Sequence, residues 1–96
     1  MLEFLILPYH LFEFSTNNDG FNDYFNIQNL YDVFVNHKLK IYNRYGVLIF
    51  EGDNLNKWYG TTIPSNEKAP VGTYFYKLIL NNSNNDIITG WVYLNH

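Results

Sequence analysis

The sequence contains no cysteine and few charged residues, and each scarcity excludes a class of protein. Without cysteine the chain has no disulfide, no thiol nucleophile, no iron–sulfur cluster and no thiolate zinc site. Charged residues make up 16%, and six basic residues stand against nine acidic ones, for a net charge of −3. That balance lacks the positive excess with which proteins bind nucleic acids or anionic membranes. No apolar run approaches the ~20 residues of a membrane-spanning helix.

The chain does contain enough apolar material for one small domain. Its 96 residues suit a single domain, and 47% hydrophobic content is too high for a disordered chain. We expect residues 14–96 to form that domain and residues 1–13 to be a preceding linker or a first strand. The beginning lacks the basic leader and cleavage site of a signal peptide. The chain is therefore expected to be either cytoplasmic or the C-terminal domain of a longer protein whose export signal lies upstream.

Hydrophobic residues recur with a period of two, which is typical of half-buried strands. Tyr74 and Tyr76 share one face of such a run, and Val92 lies opposite Trp91 in another. The apolar run 47–50 suggests a strand covered on both faces, and residues 30–35 fit either a helical turn or a strand. Strands are expected at residues 2–7, 11–14, 24–27, 38–42, 47–50, 73–80 and 87–94. About seven short strands indicate an all-β fold, an antiparallel β-sandwich.

Two turns and one tyrosine refine this prediction. Asn43-Arg44-Tyr45-Gly46 predicts a tight hairpin, because glycine adopts positive φ without strain, and an asparagine-rich loop is expected at residues 81–86. Tyr74 opens a strand shortly after Pro70, as the tyrosine of a tyrosine corner does in immunoglobulin-like sandwiches. Tyr76 would then take the place of an antibody disulfide cysteine. We therefore expect an Ig-like antiparallel β-sandwich.

One asparagine- and aspartate-rich segment resembles a calcium loop. Asn17, Asp19 and Asp23 place oxygen atoms at alternating positions around Gly20, and Ca²⁺ prefers 6–8 hard oxygen ligands. Gly20 comes too early for an EF-hand, however, and no glutamate closes the loop. The alternative is a set of Asx turns at the entry to the first strand, which is the interpretation that we favour. We expect no other cofactor.

The two tryptophans have two interpretations. Trp58, with Tyr59 beside it, and Trp91 could form an exposed platform that stacks on sugar rings. Alternatively, both tryptophans lie in the core, which we favour because so small a domain needs its largest side chains inside. Arg44, the only arginine, is either a contact for a partner or a structural residue stacked on Tyr45.

Catalytic patterns are absent from the sequence. No serine lies in a nucleophile elbow, and the three histidines form no metal-binding pair. No glycine-rich phosphate loop is found, and no two carboxylates are linked by spacing as an acid–base pair. We therefore expect a protein that is not an enzyme and needs no small-molecule ligand.

Taken in order, five segments resemble one family. Residues 14–23 (FSTNNDGFND) are similar to the F-T-P-N-G-D-G-x-N-D opening of the gliding motility-associated C-terminal domain, the type B sorting domain of the type IX secretion system in the Bacteroidota. Residues 39–46 resemble its L-x-I-F/Y-N-R-W/Y-G hairpin, residues 58–61 its W-D-G-T, residues 70–76 its P-D-G-T-Y-F-Y and residues 90–93 its final G-W-V. Thr16, Asn18 and Tyr59 depart from the pattern.

The resemblance implies a C-terminal sorting signal that directs a large cargo, such as a surface adhesin, through the periplasm to the cell surface or beyond. It also implies partners in the secretion machinery, including an outer-membrane protein of the SprF/PorP kind. We expect the partner to read the hairpin residues Asn43, Arg44, Tyr45 and Gly46. The remaining motif residues are expected to be structural: Gly20, Trp58, Gly60, Gly72, Tyr74, Tyr76, Gly90 and Trp91. The alternative function is a carbohydrate-binding or adhesive β-sandwich module.

Overall fold

The computed structural model describes residues 11–15, 24–27 and 29–95. In chain order its elements are β1 (Leu11–Ser15), α1 (Leu30–Val33), β2 (Lys38–Tyr42), β3 (Leu48–Asp53), β4 (Gly72–Ile79) and β5 (Ile87–Asn95). These strands confirm the predictions at residues 11–14, 38–42, 73–80 and 87–94, and they shift the strand predicted at 47–50. The strand expected at 2–7 lies outside the described residues.

The five strands form one sheet in the order β1-β5-β4-β2-β3. The pairs β5-β4, β4-β2 and β2-β3 are antiparallel, whereas β1 pairs in parallel with β5. The all-β prediction is therefore confirmed. A sandwich of about seven strands is not shown, because the described residues contain one sheet.

Alternation along the strands buries one face of the sheet. Leu39 and Ile41 of β2 lie beside Leu78 and Tyr76 of β4, and all four are buried. Val92 and Leu94 extend the same face across β5. The intervening residues face away from the core and are partly or well exposed, as the period of two requires.

Irregular chain and the short helix α1, rather than strands, pack over the buried face within the described residues. Phe25, Ile27, Leu30, Trp58 and Ala69 belong to the same core cluster as the strand residues. The strand predicted at residues 24–27 is wrong, although its apolar residues alternate in burial as expected. The backbone of Phe25 donates a hydrogen bond to the carbonyl of Trp58, and the segment forms no ladder with the described strands.

Residues 30–33 form the short helix α1, so of the two alternatives for residues 30–35 the helical turn is observed. Asn29 precedes it with φ of 70°, in the left-handed region that asparagine tolerates. Leu30 is buried in the core, and the Tyr31 hydroxyl donates a hydrogen bond to the Phe25 carbonyl. No helix in the described part of the chain is long and apolar enough to cross a membrane.

β3 is an edge strand, and the expectation that both faces of residues 47–50 are covered is wrong. Val47 and Leu48 are exposed, whereas Phe50 is buried. The apolar run begins directly after the hairpin, where Val47 precedes the strand and is more than half exposed. Beyond β3 the chain returns along its outer edge, and the Ile63 amide donates to the Ile49 carbonyl at 2.9 Å.

Candidate partner-recognition surface

The predicted hairpin at residues 43–46 is present, and two of its residues shape it. The Asn43 Oδ1 atom accepts hydrogen bonds from the amides of Tyr45 at 2.9 Å and Val47 at 3.0 Å. The Gly46 amide donates to the Asn43 carbonyl, and Gly46 has φ of 81°, a left-handed conformation that favours glycine. Asn43 therefore uses its side-chain oxygen within the turn, and Gly46 supplies backbone geometry.

Arg44 and Tyr45 are the exposed side chains of this hairpin. The Arg44 guanidinium lies 5.0 Å from the centre of the Tyr45 ring, and its Nη2 atom donates to the Tyr45 hydroxyl at 3.0 Å. The interpretation that Arg44 stacks on Tyr45 is confirmed. Because Tyr45 is 75% exposed, the stacked pair presents a cation and an aromatic ring to solvent together.

Cavities lie on both sides of the hairpin. A cavity of about 420 Å³ separates it from the start of β4, and its walls include Ile49, Pro70 and Tyr74. A second cavity, of about 350 Å³, lies on the outer face of the sheet. Asn43 and Arg44 line both cavities, so this hairpin is the projection that divides them.

The tyrosine corner predicted at Tyr74 is observed. The buried Tyr74 ring places its hydroxyl 2.5 Å from the Pro70 carbonyl oxygen, to which it donates a hydrogen bond. Burial raises the pKa of this hydroxyl, so it remains protonated as a donor. The corner fixes the approach to β4 and thereby one wall of the larger cavity.

The two tryptophans have opposite environments. Trp58 is fully buried, donates from Nε1 to the Thr61 carbonyl at 2.8 Å, and packs edge-on against Tyr74 with ring centres 5.7 Å apart. Its predicted core position is confirmed. The same prediction is wrong for Trp91, which is 41% exposed, because alternation in β5 places it opposite the buried Val92.

These positions remove the proposed sugar platform at Trp58 and Tyr59. Tyr59 is half exposed, but the buried Trp58 ring presents no face to solvent. An exposed aromatic site lies instead around Trp91, which packs against Phe75. The period-two alternation already separated Trp91 from Val92, and this signal could have identified its exposure.

The structure explains why glycine occupies two positions of the motif series. Gly60 has φ of 82°, a backbone conformation that residues with a side chain rarely adopt. Gly90 lies beneath the Tyr76 ring, and an added Cβ there would lie 2.6 Å from the Tyr76 hydroxyl oxygen. Tyr76 itself is buried in the core beside Phe25, and burial raises the pKa of its hydroxyl to about 12. Gly72 begins β4, and a Cβ added there would meet no atom within 4 Å.

The calcium loop of Asn17, Asp19, Gly20 and Asp23 lies outside the described residues. It stays a prediction, which melting curves with EDTA and with millimolar Ca²⁺ would test. Within residues 11–15, 24–27 and 29–95 no group of three or more histidine, aspartate or glutamate side chains is placed to hold a metal ion.

Comparison with known proteins identifies one family. The model of the CHU_C type IX secretion signal domain matches residues 9–94, which is nearly the whole chain. No curated protein and no solved structure shows significant similarity. The matched range includes the hairpin, both cavities, the tyrosine corner and both tryptophans.

Proposed function

This chain belongs to the CHU_C type IX secretion signal domain family, and we propose that it is the C-terminal sorting signal that directs a cargo protein across the outer membrane. Membership implies that the type IX secretion machinery acts on the domain and that it is exported to the cell surface or outside. The family is one of sorting signals rather than of enzymes. The observation that carries the proposal is the match over residues 9–94.

We further propose that the domain is of the gliding motility-associated, type B kind and accompanies a surface adhesin. Support comes from residues 39–46, 58–61, 70–76 and 90–93, which resemble that family's motifs in order. A partner of the SprF/PorP kind would then receive it at the outer membrane. An Ig-like sandwich also belongs to this proposal, and the hydrogen bond from Tyr74 to Pro70 supports it.

For recognition we propose the exposed pair Arg44 and Tyr45 on the hairpin. Asn43 and Gly46 hold the turn, so their role in recognition is to position that pair. Addition of a partner strand at the β3 edge is less well supported, because Ile63 already donates to the outward Ile49 carbonyl. The side chains of the hairpin are open to a partner without displacing existing hydrogen bonds of that edge.

The test is a reporter fused to the N-terminus of residues 1–96 and exported to the periplasm. The fusion is expressed together with the outer-membrane partner that matches the domain, in cells with and without a working type IX system. The proposal predicts reporter outside the cell only when the system is intact. Reporter retained in the periplasm, despite a folded domain, would contradict it.

The hairpin is tested in the same assay with Arg44→Ala, and Lys68→Ala is the matched control because Lys68 is an exposed cation that lines neither cavity. We expect Arg44→Ala to reduce export while its melting temperature stays near that of the unmodified domain. Lys68→Ala should leave export unchanged. Normal export of folded Arg44→Ala would exclude Arg44 from recognition.

A further inference from the structure

Three aromatic residues form a row across the outer face of the sheet. Tyr42 of β2 is paired with Phe75 of β4, which is paired in turn with Trp91 of β5. Their ring centres are 6.3 Å apart between Tyr42 and Phe75 and 5.1 Å apart between Phe75 and Trp91. Since Trp91 is 41% exposed, the row offers apolar surface to solvent on the face opposite the core.

A row of polar residues lies two positions farther along the same strands. Lys40 is paired with Lys77, and Lys77 with Thr89. The carboxylate of Glu51 lies 4.0 Å from the Lys40 ammonium group. Lys77 has no such partner among the described carboxylates, and neither does Arg44, which follows Tyr42 in the hairpin and lines the same cavity. Two cations without a partner among the described carboxylates therefore lie beside the rings.

The 350 Å³ cavity on this face is built from these groups. Tyr42, Phe75 and Trp91 supply its apolar walls, and Arg44 and Lys77 supply its charge. We call these five residues the outer-face groove. Its positive charge is notable because the chain as a whole carries −3. A negatively charged ligand with an apolar group would satisfy both kinds of wall.

The ring geometry argues against a sugar as the occupant. The ring planes of Tyr42 and Phe75 are inclined by 48°, and those of Phe75 and Trp91 by 67°. The rings therefore make no common flat platform for a row of sugar rings. They enclose a recess in which one apolar side chain can be held while neighbouring carboxylates approach the cations.

We propose that the outer-face groove binds an acidic peptide segment of the secretion machinery, with an apolar side chain of that segment inserted among the rings. The inference rests on the proposed sorting function and names a surface and a partner chemistry for it. Arg44 belongs to the hairpin and also lines the groove, so one partner segment can contact both surfaces.

Direct binding is measured by NMR on ¹⁵N-labelled chain, whose two tryptophan indole N–H groups report separately on the groove and on the core. The probe is a nine-residue peptide of alternating glutamate and phenylalanine, and the comparison peptide replaces glutamate with lysine. We expect the acidic peptide to shift the Trp91 indole signal and leave that of Trp58 unmoved. Equal shifts with both peptides would overturn the proposal, as would a response to a neutral glucan oligosaccharide alone.

Charge reversal tests the cations. Lys77→Glu should weaken acidic-peptide binding about tenfold, because a repulsive carboxylate replaces an attractive ammonium group. Lys68→Glu makes the same charge change outside the groove and should leave binding unchanged. Lys77→Gln is included as a milder variant, and thermal melting establishes that each variant is folded. Equal binding by all folded variants would overturn the role of charge.

The export assay separates this inference from the proposed function. If the unmodified fusion leaves the cell and Lys77→Glu does not, while Lys68→Glu does, the groove is supported. If Lys77→Glu is folded and exported normally, the groove proposal fails and the sorting function stands. If the unmodified fusion itself stays in the periplasm, both fail, because the groove's partner is part of the machinery.

Discussion

The opposite environments of the two tryptophans predict very different losses of stability on truncation. Trp58 is fully buried, and it contacts Phe50 and Tyr74 while donating to the Thr61 carbonyl. Truncation of a buried aromatic residue to alanine typically costs ~3–5 kcal/mol. The Trp58→Ala variant also leaves the Thr61 carbonyl without its indole donor. For a domain whose expected total stability is ~5–14 kcal/mol, this loss brings the chain near unfolding.

Trp91 contributes less because 41% of its surface is already in water. Its ring packs edge-on against Phe75 and is only partly buried, so Trp91→Ala should cost about 1–2 kcal/mol. The two variants thus compare the same chemical change at a buried and at a half-exposed site. Trp58→Phe, which keeps a ring but loses the indole donor, should fall between them.

Urea unfolding followed by circular dichroism measures these losses without relying on tryptophan fluorescence. We expect the midpoint of Trp58→Ala to fall far below that of Trp91→Ala, with unfolded protein already present in buffer. Equal losses, or a larger loss for Trp91→Ala, would refute the assignment of Trp58 to the core and Trp91 to the outer face. Equal slopes of unfolding free energy against urea concentration for the Trp91→Ala variant and the unmodified chain would show that their denatured states are comparable.

Two further predictions concern a buried histidine and a close backbone contact. Burial lowers the pKa of His37, so between pH 7.5 and 5.5 the unfolded chain binds a proton more readily than the folded chain, and stability should fall as the pH is lowered. His37→Gln should remove most of this dependence. An unchanged slope of unfolding free energy against pH in that variant would contradict the prediction. Gly90→Ala should destabilise the chain by about 1–3 kcal/mol because the new Cβ meets the Tyr76 ring. In a Tyr76→Leu background the cost of Gly90→Ala should largely disappear, and an identical cost in both backgrounds would exclude the clash.

The predicted pKa effect at His37 has a local cause. The ring is 1% exposed and lies beside Phe34, whose carbonyl is 2.8 Å from Nδ1. This contact and the charge of Asp53 favour the protonated ring, but removal from water, together with the charges of Lys38 and Lys57, outweighs them and lowers the pKa. The folded chain therefore holds His37 neutral to lower pH than the unfolded chain does, which is why its stability is lost as the pH falls through this range.

Much of the candidate site could be predicted from local sequence. The hairpin at 43–46 follows from Asn43 and Gly46, whose turn preferences depend on their own backbone and side chains. The Tyr74 corner was recognisable from its position after Pro70 and at the start of a strand. The family resemblance identified the class of function, although its type B detail, its adhesin cargo and its SprF/PorP partner stay proposals.

Residues 24–27 and the apolar run at 47–50 show where local pattern was insufficient. Phe25 and Ile27 alternate with exposed Asn26 as in a strand, yet none of the described strands forms a ladder with them. At 47–50 the apolar run alone could not show that β3 lies at the edge of the sheet. Both outcomes depend on which distant segment packs alongside, and a single sequence carries no direct record of that.

By itself, the sequence determined strands β1, β2, β4 and β5, the alternating faces of the last three and the turn at residues 43–46, because alternation and turn chemistry act over a few residues. Only the tertiary structure decided that Tyr42, Phe75 and Trp91 form one row with Arg44 and Lys77 around it. That arrangement depends on the order β5-β4-β2 and on the registers between these strands. Strand order is set by pairing between distant segments, so the outer-face groove exists only once the sheet is assembled.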